Sequence, residues 1–201
     1  MSTTLYLLPI EKASEKDESY YARYFPERLE RAKGFRHEDD RLRCLAGSLL
    51  LREVLGLDET QLSFSANGKP SVPGQPFNLS HSGEYAVLAV SDLPVGVDME
   101  RCSLRHVRVA NSVFTEAELQ WMHEDAEARF TLLWTLKEAV SKALGLGLQL
   151  KFSEFDVLPL LRDAPILIRG ETLYGKALPV PGYSLSVCTA GALGEVSVVQ
   201  L

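Results

Sequence analysis

Val95-Gly96-Val97-Asp98-Met99-Glu100 reads as a β-strand that ends in two carboxylates. Residues two apart on a strand point to the same face. Asp98 and Glu100 therefore share one side, and Val97 and Met99 turn to the other, into a core. Two carboxylates held side by side repel each other. Hard oxygen ligands of this kind suit Mg²⁺, which is commonly held by one or two carboxylates plus substrate phosphates. The spacing alone fits either a cation site or a polar strand end in solvent, so the flanking stretches have to decide.

On the N-terminal side, Asn67-Gly68-Lys69-Pro70 signals a turn. Phe77-Asn78-Leu79-Ser80-His81-Ser82-Gly83 reads as a polar turn. It gathers hydroxyls, an imidazole and backbone donors, as an anion-binding nest does. A histidine in such a turn also serves as a local hydrogen-bonder. Residues 85–90 form an apolar strand, and residues 91–94 turn the chain back. That predicts a hairpin of 85–90 with 95–100, with His81 brought near Asp98 and Glu100. Earlier still, residues 4–8 read as a strand closed by Pro9. Residues 20–33 are helical with a break or restart at Pro26, and they carry Arg28 and Arg31, which a solvated helix face also explains. Residues 37–55 have apolar residues at helical spacing and end at Gly56. Arg41 and Arg43 sit near the start of this helix, where cations oppose the macrodipole; one of them answering an anionic ligand would explain that.

On the C-terminal side, Thr115-Glu116-Ala117-Glu118 is a capping box, which gives Glu118 a sufficient structural role. Residues 129–144 form the clearest helix, with a buried stripe of Leu132, Leu133, Leu136, Ala139, Val140 and Ala143. Trp134, Glu138 and Lys142 lie one turn apart on another face. A Glu-to-Lys surface pair would account for that spacing too. Residues 152–158, 166–168, 183–188 and 195–201 read as strands. The order of elements predicts an α+β fold of two similar subdomains, 1–100 and 101–201, each a long helix on a small, mostly antiparallel sheet.

The whole chain bounds the class. Its 201 residues are 46% hydrophobic and 24% charged, with a formal net charge of −6. This is an ordinary globular composition, and nothing in it suggests nucleic-acid binding. Three distant cysteines, Cys44, Cys102 and Cys188, have no metal-ligand spacing and read as reduced thiols. No run approaches a membrane span, and the apolar run at 5–10 is too short for a signal segment. A cytoplasmic protein is expected.

Gly68-Lys69-Pro70, Phe77 to Gly83, Gly96 to Glu100 and Trp134-Thr135-Leu136-Lys137-Glu138-Ala139-Val140-Ser141-Lys142 occur in that order. Together with Phe35-Arg36-His37-Glu38-Asp39-Asp40 and Arg43 they resemble the 4′-phosphopantetheinyl transferases of the surfactin-synthetase-activating type. The resemblance covers the chain to about residue 158. It implies two pseudo-twofold-related halves with the active site in the cleft between them, in a monomer. It also implies Mg²⁺-dependent transfer of phosphopantetheine from coenzyme A to a serine hydroxyl of an apo acyl or peptidyl carrier protein, a holo-acyl-carrier-protein synthase activity. Adenosine 3′,5′-bisphosphate is the leaving product.

By this resemblance Asp98, Glu100 and Glu138 hold Mg²⁺ or Mn²⁺. His81 and Lys142 bind coenzyme A phosphates, as do Arg43, Arg28 and Arg31. Lys69, Pro70 and Ser80 flank the adenine. Glu138, directly or through a water on the metal, takes the serine proton, with Glu118 as the outside candidate. Trp134 packs under the metal site, and Lys137 is either a phosphate ligand or solvated. The apolar loop 144–148 is the expected carrier dock. Such chemistry depends on positioning and charge neutralisation more than on covalent help. Two rivals use the same residues: a Mg²⁺-dependent phosphohydrolase acting on coenzyme A, and a non-catalytic coenzyme A or carrier-binding module.

Overall fold

The computed structural model describes residues 1–65 and 68–201, and the side chains of these apart from 104–106 and 148. Asn67 of the expected turn lies outside the described residues. The strands are β1 (Ser2–Pro9), β2 (Ser63–Phe64), β3 (Pro70–Ser71), β4 (Phe77–Ser82), β5 (Tyr85–Ser91), β6 (Val95–Arg101), β7 (Ile166–Ile168), β8 (Glu171–Val180), β9 (Tyr183–Ala190) and β10 (Glu195–Gln200). The α-helices are α1 (Glu18–Tyr24), α2 (Pro26–Lys33), α3 (Glu38–Leu55), α4 (Ala110–Val113), α5 (Glu116–Met122) and α6 (Ala126–Leu144).

Local chemistry explains most helix ends. Pro26 opens α2, where its missing N–H costs nothing. Gly56 and Gly145 close α3 and α6 with φ of 68° and 69°, a conformation that glycine adopts without strain. Thr115 and Glu118 form both bonds of the capping box on α5.

Among the described residues the strands build two four-stranded sheets, ordered β10-β1-β5-β4 and β6-β9-β8-β7, and a β2-β3 hairpin. Helix α3 packs on the first sheet and α6 on the second. Strand alternation sorts the cores. In β5, Ala86 and Leu88 face the helices, while Val87 and Ala89 face the opposite sheet. In β6, Val95, Val97 and Met99 enter that shared inter-sheet core together with Leu185 and Val187 of β9. Gly96, Asp98 and Glu100, on the other face, are left toward α6.

The structure corrects three expectations and adds a strand. Residues 85–90 and 95–100 are not a hairpin: β5 pairs with β1 and β4, and β6 pairs with β9. The apolar faces of β5 and β6 meet across the inter-sheet core, so residues 91–94 cross between layers instead of joining sheet neighbours. Residues 77–83 are not a nest-like turn: Phe77–Ser82 form strand β4, and the turn is confined to Gly83-Glu84. Residues 152–158 hold 3₁₀ turns, Phe152–Glu154 and Leu158–Arg162, in place of a strand. The ten-residue β8 had no counterpart in the sequence reading. β10 runs parallel to β1, and β6 lies in the sheet with β7–β9, so each part of the chain lends a strand to the other's sheet.

Candidate active site

The backbone of α6 lies directly on β6 at Gly96. A Cβ there would stand 2.0 Å from the Ala139 carbonyl oxygen and 2.4 Å from the Ala143 nitrogen, so only glycine permits this approach. The Lys69 ammonium fastens the same junction by donating to the carbonyls of Val95 and Lys142. Glu138 and Lys142 are thereby delivered to the Asp98–Glu100 face. Lys142 Nζ lies 2.6 Å from Asp98 Oδ1 and 3.1 Å from the Val97 carbonyl oxygen.

The edge of the first sheet meets the edge of the second along β4 and β6, without a backbone ladder between them. Asn78 Oδ1 accepts from Val97 N at 2.8 Å, Ser80 Oγ from Met99 N at 3.3 Å and Ser82 Oγ from Arg101 N at 3.1 Å. Side-chain oxygens on every second residue thus satisfy the outward amides of an edge strand. The serine hydroxyls also reach the carboxylates, Ser80 Oγ to Asp98 Oδ1 at 2.8 Å and Ser82 Oγ to Glu100 Oε2 at 2.7 Å.

A cavity of about 440 Å³ opens over this seam. Arg28 of α2, Arg43 of α3 and His81 of β4 line it together with Asp98, Glu100, Glu138 and Lys142. Arg43 is held by the Gly83 carbonyl and Asp40 Oδ1, both at 2.7 Å. His81 is exposed, yet desolvation of its ring against the cavity wall, then the cations of Lys142, Arg43 and Arg28, push its pKa below the usual value. Pro70 lines this cavity and an adjoining one of about 620 Å³, which Trp134, Glu138 and Lys142 also share. Arg31 is exposed on α2 and is not among the residues lining the first cavity. Burial and its two bonds to backbone carbonyls turn Lys69 toward a structural task, with its pKa lowered to about 8 by desolvation and the Lys142 charge.

The donor set fits a hard divalent cation. Asp98 is 4% exposed and its Oδ2 is buried with no hydrogen-bond partner. The Glu138 carboxyl is pushed above its usual pKa by burial and by the charges of Asp98 and Glu100, against the opposing pull of Lys142. A cation among these groups would relieve both conditions. Among the described residues no group of three His, Cys, Asp or Glu side chains is assembled as a ready-made metal cage. The Lys142 ammonium instead occupies one oxygen of Asp98.

Lys137 differs from both of its expected roles, whereas Glu118 keeps the capping-box role expected of it and loses only its outside candidacy as a base. Lys137 is neither a phosphate ligand nor solvated: it is 0% exposed, pairs with the equally buried Glu118 at 2.9 Å, and donates to the carbonyls of Phe152 and Phe155. Glu118 also accepts from Thr115 N and Val157 N, each at 2.9 Å. It is locked into the C-terminal core and is not available as a base in the cavity. Asn78 and Ser82 carry the seam without having been singled out; their sequence signal was the alternation of Asn78, Ser80 and Ser82 on one strand.

A family model for the 4′-phosphopantetheinyl transferase superfamily matches residues 94–188. The chain is 32% identical to the 4′-phosphopantetheinyl transferase Sfp of Bacillus subtilis (strain 168), over 89% of this chain and 87% of that protein. It is 33% identical to the 4′-phosphopantetheinyl transferase ffp of Bacillus subtilis, over 82% and 81%. It is 34% identical to the 4′-phosphopantetheinyl transferase psf-1 of Bacillus pumilus, over 79% and 75%. With β6, where Asp98 and Glu100 stand, inside the matched segment, the chain belongs to the 4′-phosphopantetheinyl transferase superfamily.

Proposed function

We propose that the cavity over the β4–β6 seam is where this phosphopantetheinyl transferase seats coenzyme A and carries out the transfer. The reaction moves 4′-phosphopantetheine from coenzyme A to a serine hydroxyl of a carrier protein and releases adenosine 3′,5′-bisphosphate. The observation that carries the reading is that one cavity gathers the cations Arg28, Arg43 and Lys142 and the imidazole of His81 with the three carboxylates Asp98, Glu100 and Glu138.

Arg28, Arg43, His81 and Lys142 bind the phosphates. Forked guanidinium contacts suit the 3′-phosphate and pyrophosphate oxygens. Arg31, exposed on the same helix, contributes at longer range. Pro70 and Lys69 wall the nucleoside end. Asp98, Glu100 and Glu138 would hold Mg²⁺, which when bound neutralises charge developing on the pyrophosphate. Directly or through a water, Glu138 takes the proton from the attacking serine oxygen. That oxygen bonds to the β-phosphorus as the bond to the departing nucleotide oxygen breaks. Trp134, between Phe130 at 6.1 Å and Phe152 at 5.6 Å, gives the site a rigid floor.

We read the catalytic unit as a cytoplasmic monomer of two related halves meeting near residue 100, and acyl carrier protein as one acceptor. The free thiols support the compartment, Cys44 and Cys188 buried and Cys102 half-buried. No helix among the described residues is long and apolar enough to cross a membrane. The carrier docks at 144–148; Leu144 and Leu146 pack against the C-terminal core, and the side chain of Leu148 lies outside the described residues.

Intact-mass spectrometry tests this directly, using apo acyl and peptidyl carriers with the protein, coenzyme A and Mg²⁺ and an EDTA control. A metal-dependent gain of one phosphopantetheine on the acyl carrier is expected. Gain only on peptidyl carriers would overturn the acyl-carrier assignment, and gain undiminished by EDTA would overturn the metal reading.

A further inference from the structure

Strand β4 relates to β6 by two constant offsets. Asn78, Ser80 and Ser82 accept from the amides nineteen residues ahead, at Val97, Met99 and Arg101. The two serines also meet the carboxylates eighteen residues ahead, Asp98 and Glu100. The same offset from Asn78 falls on Gly96, which has no side chain and lies under α6. Three rungs thus hold the seam, and two of them also hold a carboxylate.

A hydroxyl has one proton and two lone pairs. In Ser82 a lone pair takes Arg101 N–H, so the proton goes to Glu100 Oε2. In Ser80 the oxygen takes Met99 N–H and a contact from Lys142 Nζ at 3.3 Å, so its proton goes to Asp98 Oδ1. Bonds from O–H to a carboxylate are charge-assisted and directional. The terminal torsion of a carboxylate is otherwise broad. Tying Oδ1 of Asp98 restrains the plane of the group and leaves Oδ2, which is buried and has no hydrogen-bond partner, as the oxygen without a tie.

We propose that Ser82, together with Ser80, is a positioning residue that orients the Glu100 and Asp98 carboxylates for the divalent cation. The proposal rests on the metal reading given under Proposed function. Residues that hydrogen-bond metal ligands commonly change metal affinity by about 10- to 100-fold when removed. Asn78 supplies the internal control, because it makes the same seam contact with no carboxylate attached.

The test measures Mn²⁺ binding to the purified full chain without coenzyme A, by the electron paramagnetic resonance signal of free Mn²⁺. Wild type, Ser82→Ala, Ser82→Thr and Asn78→Ala are compared, with thermal denaturation alongside. Ser82→Ala is expected to weaken Mn²⁺ binding about tenfold and to raise the half-saturating metal concentration for transfer in parallel. Ser82→Thr, which keeps the hydroxyl, returns both toward wild type. Asn78→Ala lowers the melting temperature and leaves the Mn²⁺ affinity near wild type. Equal Mn²⁺ affinity in Ser82→Ala and wild type, or an equal loss in Asn78→Ala, would overturn the positioning role while leaving the metal site standing. Absence of Mn²⁺ binding by the wild type would overturn the metal reading and this proposal with it.

Discussion

The Lys142 ammonium sits 2.6 Å from Asp98 Oδ1, on a carboxylate that is almost wholly buried, and acts as its internal counter-ion. Lys142→Met leaves that charge without compensation. Breaking a buried pair from one side costs about 3–5 kcal/mol, and the partial exposure of Lys142 puts the expected loss near the lower end. A divalent cation can take over the role, so Mg²⁺ should raise the melting temperature of Lys142→Met by more than that of wild type. Calorimetry with and without Mg²⁺ reads the difference. Equal Mg²⁺ shifts in the two proteins would count against Asp98 as a metal ligand.

Gly96→Ala places a methyl group into the α6 backbone, 2.0 Å from the Ala139 carbonyl oxygen. Backbone cannot rotate aside as a side chain does, so the helix has to move off the strand. Overpacking typically costs about 1–3 kcal/mol, and a contact with backbone this close puts the expected loss at the upper end. Urea denaturation should show the loss. Transfer activity should fall further than stability does, because the displaced helix carries Glu138 and Lys142.

Lys137 and Glu118 form an ion pair with neither side chain exposed. Burial lowers the Lys137 pKa, and Glu118 opposes that shift. Lys137→Met should destabilise the fold by about 3–5 kcal/mol, since the Glu118 charge stays buried without its partner. Adding Glu118→Gln to Lys137→Met should restore part of the loss. A double-mutant cycle by chemical denaturation checks this, and additive losses would show that the two side chains do not act as a pair.

His81 should make coenzyme A binding proton-linked. Its imidazole pKa is lowered in the free protein by desolvation and then by Lys142 and Arg43, and a phosphate beside it raises that pKa. The complex therefore holds more protons than the free protein, so the His81 contribution to affinity is present at low pH and is lost as pH rises. The ionisation of the 3′-phosphate runs the opposite way and is common to any variant. The difference in coenzyme A affinity between wild type and His81→Asn, measured by calorimetry from roughly pH 6 to pH 8, should shrink as pH increases. A difference independent of pH would remove His81 from the phosphate contacts.

Sequence alone determined the features set by neighbouring residues. Pro26, Gly56, Gly145 and the Thr115–Glu118 box fixed helix ends, because each satisfies or omits backbone bonds within one turn. The strand alternation of Val97 and Met99 against Asp98 and Glu100 held, and so did the placing of Trp134, Glu138 and Lys142 on one helix face at the cavity. Tertiary structure decided what depends on distant partners. Strand β6 left its neighbour β5 for β9, because both apolar faces were needed in one inter-sheet core. Lys137 found Glu118 only once α5 and α6 packed together. The serines of β4 acquired their role where two sheet edges met, since a hydroxyl's partner is set by what the fold brings within 3 Å of it and not by its own position in the chain.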